Sequence, residues 1–186
     1  RIFTILADAT YKYAAKNGFE FVFGVANANS IHGFVHNLGF QLVSPLKVML
    51  GIGNIKTYPT KNVLHFERIW TKDWLEWRMK NPQRKYEISG SRIYAETGKY
   101  GIKAIMGNFD SRMLNNISNS TISSLNPIKL YVGIDSNIDW NKLMYFKVPE
   151  QIKSSPLNLI FKDLTGKNRK LDVNKIKFRI IDFDGY

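Results

Sequence analysis

The strongest constraint in this chain is residues 18–40, GFEFVFGVANANSIHGFVHNLGF, where a buried strand runs into a capped helix that stops at a Gly-Phe pair. Phe19, Phe21, Val22, Phe23 and Val25 form an almost unbroken apolar and aromatic run between Gly18 and Gly24, the pattern of a short strand covered on both faces. The period then changes. In Ala26-Asn27-Ala28-Asn29-Ser30 the short polar side chains can accept hydrogen bonds from the first free N–H groups of a helix. Ile31, Phe34, Val35 and Leu38 follow at helical spacing, and Gly39 can take the left-handed conformation that closes the helix. Phe40 to Val43 resumes a strand.

The flanking segments extend the pattern. Residues 2–17 read as a helix, because Ile2, Leu6, Ala9 and Tyr13 share a face and Asn17-Gly18 is a strong stop. After Ser44-Pro45, Leu46 to Leu50 before Gly51-Ile52-Gly53-Asn54 predicts a strand leading into a turn, and a domain boundary falls near residues 45–60. Thr71 is the expected cap of a short helix over Asp73 to Met79, with Pro82 beyond its end. Strands are expected at Tyr86–Ile88, Arg92–Ala95, Ile102–Met106, Ile128–Val132, Leu157–Phe161 and Phe178–Phe183. Ser111 to Leu125 stays open between a helix start at Arg112-Met113-Leu114 and a loop. The fold class is therefore α/β in the α+β sense: helix-strand-helix-strand over 1–45, then a β-rich second lobe over 46–186 with a short Trp-rich helix.

Charge separates the two parts. Residues 1–45 hold three basic and two acidic residues, net +1, whereas residues 46–186 hold 24 basic and 13 acidic, net +11. Such a field concentrates anions of many kinds, including nucleotides, acidic glycans and nucleic acid, without choosing among them. The absence of cysteine excludes a disulfide framework, a thiolate nucleophile and cysteine metal sites, and suits a cytoplasmic protein. No apolar run approaches the length of a membrane span.

The strand, Asn-x-Asn-Ser, helix and Leu-Gly-Phe of residues 18–40 resemble the second half of the GNAT acyl-CoA N-acyltransferase fold, with Gly24-Val25-Ala26-Asn27 where bacterial members carry Gly-Phe-Pro-Asn. Ile2 to Gly18 is similar to the long helix that follows the family's pyrophosphate loop. Trp74 to Arg78, Asn81-Pro82, Ser155-Pro156-Leu157 and Asp182-Phe183-Asp184 resemble the C-terminal half of two-lobed members. The resemblance implies an N-terminally truncated lobe over 1–45, with acetyl-CoA or another acyl-CoA as co-substrate. It implies backbone contacts to the pyrophosphate from Ile2, Phe3 and Thr4, and polar contacts to the pantetheine arm from Asn27, Asn29 and Ser30, with Asn29 preferred. Plain helix capping explains the same asparagines.

Catalytic signals are sparse. In many members of the family a Tyr four residues before the helix-ending Gly protonates the leaving thiolate; here Val35 stands there, with Phe34 beside it. His32 and His36, four apart on one helix, are the remaining acid candidates, although exposed and non-catalytic histidines fit the spacing equally. They lack a third ligand nearby, so no metal is expected. Trp74, Trp77 and Arg78 can stack a sugar or base and grip an anion, or can anchor a core. Asp182 and Asp184 alternate on the expected last strand.

The expected function is thus N-acyl transfer, most simply acetyl transfer, to an amine of an amino sugar, nucleotide sugar or similar anionic small molecule. The competing classes are a non-catalytic basic module that grips nucleic acid or acidic glycan, and a relative that uses aminoacyl-tRNA. Nucleic acid is the less favoured partner.

Overall fold

The chain is a mixed α+β protein, and the computed structural model describes residues 2–57, 64, 66–117, 122, 126–149 and 155–183. Arg1, Asn119 and Asp184 lie outside the described residues. Two compact units divide it. The first comprises residues 1–46 and 149–176, and the second residues 47–148 and 177–186.

The first unit is built on helix α1 (Ile2–Lys16), strand β1 (Phe21–Ala26), helix α2 (Ala28–His32), strand β2 (Gln41–Pro45) and a strand from far along the chain, Asn158–Asp163. That strand, numbered β10 in chain order, lies between β1 and β2 and is antiparallel to both, so β1 and β2 run parallel to each other. The sequence reading places residues 46–186 in one lobe, yet residues 149–176 group with this unit. The reason is chemical. Leu159, Ile160 and Phe161 are all buried and both edges of their strand are paired, which is the environment that an unbroken apolar run requires.

Polar contacts fasten the returning segment to the same unit. The Gln41 side-chain amide exchanges two 2.9 Å hydrogen bonds with the backbone of Leu171, as a neighbouring strand would. Arg169 bridges the Glu20 and Asp163 carboxylates, each at 2.8 Å. Lys162 donates to the Leu38 carbonyl at 2.7 Å, satisfying a free acceptor where the helical segment ends.

Helix α1 buries an unexpected side. Ala7 and Tyr11 pack on the core formed by Ala26, Leu38, Phe40 and Ile160, and Tyr11 meets the Phe40 ring edge-on at 5.6 Å. The opposite, more apolar stripe stays open: Ile2, Leu6 and Tyr13 are 76%, 62% and 70% exposed.

The segment after β1 also departs from a single regular helix. Helix α2 passes at Gly33 into a π-helical turn, Gly33–Asn37, in which Leu38 donates to the Gly33 carbonyl. Gly39 then adopts φ +68°, the left-handed closure expected from the sequence.

The second unit is an eight-stranded mixed sheet with one helix of two turns. Its strands are β3 (Lys47–Gly51), β4 (Phe66–Glu67), β5 (Tyr86–Ser89), β6 (Arg92–Glu96), β7 (Ile102–Asn108), β8 (Ile128–Asp135), β9 (Tyr145–Lys147) and β11 (Ile176–Arg179), whose first residue, Ile176, groups with the first unit. Strand β8 is the hub. On one edge it pairs with β3 through residues 129–133; on the other, β7 pairs in parallel with residues 128–130 and β11 antiparallel with residues 133–135. The two neighbours on that second edge are therefore separated at Tyr131 and Val132.

Helix α3 (Lys72–Met79) forms as expected, with Thr71 as its cap, and the ambiguous stretch opens with α4 (Ser111–Leu114) behind an Asp110 cap, while residues 118–121 and 123–125 lie outside the described residues. The last expected strand ends early. Beyond Arg179 the chain makes a 3₁₀ turn over Ile180–Asp182, because the Asp182 carboxylate accepts the Arg179 N–H at 2.7 Å and draws the backbone round. Asp182 is thus a buried turn residue, and the alternation expected with Asp184 rests on a strand that stops before either.

Candidate functional site

In the first unit, β1 delivers the chain to the start of α2. Asn27 is the cap: its Oδ1 accepts the Asn29 and Ser30 N–H groups at 3.1 and 3.0 Å, and the Ser30 hydroxyl accepts the Asn27 N–H at 3.1 Å. This reciprocal box uses two of the three asparagine and serine candidates structurally. The Ala28 N–H donates to the Ser155 hydroxyl at 3.2 Å, so the first donors of α2 are already engaged within the protein. Asn29 projects from the first turn and is exposed.

Other candidates of the first unit gather around the same segment. Phe3 meets the Phe34 ring edge-on at 5.8 Å, which brings the first turn of α1, with Ile2, Phe3 and Thr4, beside the π-helical turn. The first N–H groups of an α-helix have no intrahelical acceptor, and a 15-residue helix adds its dipole. His32 and His36 lie side by side, with ring centroids 4.6 Å apart and planes tilted by 35°, and are exposed. Among the described residues no group of three or more His, Cys, Asp or Glu side chains is placed to hold a metal. Strand β1 pairs with β10 on one edge, and among the described residues its other edge has no strand partner.

In the second unit the aromatic and cationic candidates are split. Trp74 and Trp77 are exposed and meet edge-on at 6.3 Å. Arg78 is buried, donating to the Phe183 carbonyl at 3.0 Å, so its guanidinium belongs to the core rather than to the tryptophan pair. A depression of about 530 Å³ follows α3, lined by Trp77, Arg78 and the turn through Arg84. It is the curvature of one continuous segment of chain.

A smaller cavity, about 110 Å³, is built by convergence instead. It opens where β7 and β11 separate along β8. Residues with the strand period of two turn toward it: Arg92 and Tyr94 from β6, Lys129, Tyr131 and Asp135 from β8, and Lys177 and Arg179 from β11. Gly133 is needed on this face of β8, since a Cβ there would stand 2.3 Å from the Phe178 carbonyl oxygen and 3.1 Å from the Tyr131 hydroxyl.

The charges in this cavity are unequal. Lys177 pairs with Glu67 at 2.6 Å, and Arg179 lies 3.7 Å from both Glu67 and Asp182. Lys129 instead donates to the Asn54 amide oxygen at 2.9 Å, and burial raises the pKa of the Tyr94 hydroxyl, against the smaller effect of the neighbouring Arg92. Burial, then repulsion from Lys103 and Arg92, lowers the Lys129 pKa. Burial raises that of Asp135, against the hydrogen bond from the Asn137 N–H. Sequence reading passed over these residues. The signal was present in the alternation of charged and aromatic residues in RIYAE, KLYVGID and KFR, but it needs strand neighbours to become a site.

Comparison with family models, curated proteins and solved structures finds no match for this chain. No helix among the described residues is long and apolar enough to cross a membrane.

Proposed function

We propose that the first unit is the coenzyme-binding part of an acyl-CoA-dependent N-acyltransferase resembling the GNAT family, and that the acceptor is an amine on an amino sugar, nucleotide sugar or similar anionic small molecule. The observation that carries this reading is strand β1, paired on one side, open on the other among the described residues, and leading directly into a capped helix. An extended pantetheine arm carries two amides, which can hydrogen-bond to the free edge of such a strand as a further strand does. The first turn of α1 offers backbone N–H groups of Ile2, Phe3 and Thr4 to the pyrophosphate. Asn29 is the exposed polar side chain at the start of the second helix; Asn27 and Ser30 hold that turn in shape.

Transfer requires the amine, deprotonated, to attack the thioester carbonyl, with the coenzyme thiolate leaving and taking up a proton. His32 and His36 are the candidate donors. A cysteine-free chain suits a cytoplasmic setting.

Thermal melting of the protein with acetyl-CoA tests the proposal. Acetyl-CoA at about 100 times its Kd adds roughly 2.7 kcal/mol of apparent stability, a rise of several degrees in Tm. No rise at millimolar acetyl-CoA, together with salt-dependent binding of polyanions, would favour a basic binding module instead. Binding of tRNA with indifference to coenzyme A would favour a tRNA-dependent relative.

A further inference from the structure

We infer that the 110 Å³ cavity of the second unit is a binding site for a small oxyanion, a phosphate or a short hydroxy acid, held by Arg92 and Lys129 with the Tyr131 hydroxyl as an inner donor. The inference is independent of acyl transfer, since every lining residue belongs to the second unit.

Three observations converge on it. First, Tyr131 is 4% exposed, and its hydroxyl is buried with no hydrogen-bond partner among the described residues. An orphaned buried hydroxyl costs about 1–3 kcal/mol, and a ligand oxygen in the cavity relieves that cost. Its ring is fixed by edge contact with Trp140 at 4.9 Å, so the hydroxyl cannot swing out to water without losing that packing.

Second, the cavity holds cations that carboxylates have not neutralised. Lys177 and Arg179 face Glu67 and Asp182, but among the described residues Arg92 and Lys129 pair with no carboxylate, and Lys129 donates to the neutral Asn54 oxygen. Lys103 adds to the field from 4.5 Å above the Tyr94 ring, although Glu87 pairs with it at 3.2 Å. Repulsion among Lys129, Lys103 and Arg92 lowers the Lys129 pKa beyond what burial does, the mark of a place that an anion would stabilise.

Third, size and polarity restrict the ligand. A cavity near 110 Å³ is well below the roughly 300–1,000 Å³ of sites for drug-sized ligands, which suits orthophosphate or a three-carbon acid. Ile55, Ile105 and Ile138 form the apolar wall, against which a short carbon chain fits. Asp135 also lines the cavity; its carboxylate repels an anionic head group and accepts from a hydroxyl, so the ligand lies with its charge toward Arg92 and Lys129.

The test is titration of the full chain with potassium orthophosphate and, separately, potassium lactate at constant ionic strength set with potassium chloride, read by calorimetry and by backbone amide shifts. The expected result is saturable binding of at least one probe, with shifts centred on Asn54, Arg92, Lys129 and Tyr131. Binding of phosphate alone assigns a phosphate ligand, and binding of lactate alone a carboxylate. R92Q and K129Q should each weaken binding about tenfold, and Y131F about three- to tenfold, as expected for loss of charged and neutral hydrogen bonds respectively. R112Q, on the exposed face of α4, should leave it unchanged. Y131F keeps the ring packing, so its amide spectrum reports directly whether the fold is intact. Absence of saturable binding by either probe overturns the inference, as does binding that the three cavity variants leave intact.

Discussion

The indole N–H of Trp70 donates to the Asp182 carboxylate at 2.7 Å, joining two buried residues 112 positions apart in the sequence. The same carboxylate accepts the Arg179 N–H at 2.7 Å and lies 3.7 Å from the Arg179 guanidinium. Burial raises the Asp182 pKa, while Arg179 and Trp70 pull it down. W70F removes one donor from a buried acceptor and should cost about 1–3 kcal/mol at pH 7, measured by urea unfolding. The sign of its pH dependence follows from linkage. With a donor lost, the folded-state pKa rises further above the unfolded value, so the added penalty is absent below the unfolded pKa and grows as pH rises through the folded one. The W70F penalty should therefore be smaller at pH 4 than at pH 7; equal penalties would show that the carboxylate is not the partner that matters.

Gly133 is the second sensitive point. A Cβ at that position would lie 2.3 Å from the Phe178 carbonyl oxygen, inside any permitted contact, and the obstruction is backbone rather than a mobile side chain. G133A should push β11 from β8 and lower stability by about 2 kcal/mol or more. Amide exchange of Lys177 and Phe178 should accelerate together; protection equal to that of the parent would refute the clash.

Asn27 and Asn29 separate capping from ligand contact. Asn27 accepts two backbone N–H groups, and N27A should cost about 1 kcal/mol in the urea midpoint. Asn29 is exposed, so N29A should change stability by less than about 0.5 kcal/mol while weakening acetyl-CoA binding several-fold. If N29A leaves the coenzyme affinity unaltered, Asn29 is not the pantetheine contact.

Alkaline pH should destabilise the second unit through Tyr145. Its hydroxyl donates to the Gly53 carbonyl at 3.1 Å, and burial, followed by the neighbouring Tyr94, pushes its pKa up to about 12. Between the ordinary value of 10 and about 12 the unfolded chain releases this proton while the folded one retains it, so stability falls as pH rises across that window. Tyr131, also raised by burial, acts in the same direction. Y145F should flatten the decline in Tm between pH 10 and 12 without abolishing it; an unchanged slope would exclude Tyr145 as a contributor.

Much of the local structure was legible in the chain. The Asn27 cap, the Gly39 closure, the Thr71 cap and most strand positions follow from residues within a few places of each other, because hydrogen bonds of caps and turns are local. The inward face of α1 was not. Ile2, Leu6, Ala9 and Tyr13 are more apolar than the stripe containing Ala7 and Tyr11, yet the second stripe packs, with Tyr11 against the Phe40 ring. Periodicity identifies a helix with apolar stripes; it does not say which stripe meets a partner.

The sequence by itself determined most of the helices and strands, the caps at Asn27 and Thr71 and the stop at Gly39, since each depends on backbone conformations that neighbouring side chains permit or forbid. Only the tertiary structure decided that Asn158–Asp163 lies between two strands more than 110 residues earlier, and that Arg92, Lys129 and Tyr131 share a cavity. Short apolar runs are interchangeable in pattern, and which edges they join is settled by non-local burial and backbone pairing. For the same reason Gly18 to Phe40 marks where a coenzyme arm would lie, whereas the oxyanion cavity became visible only when three strands were set side by side.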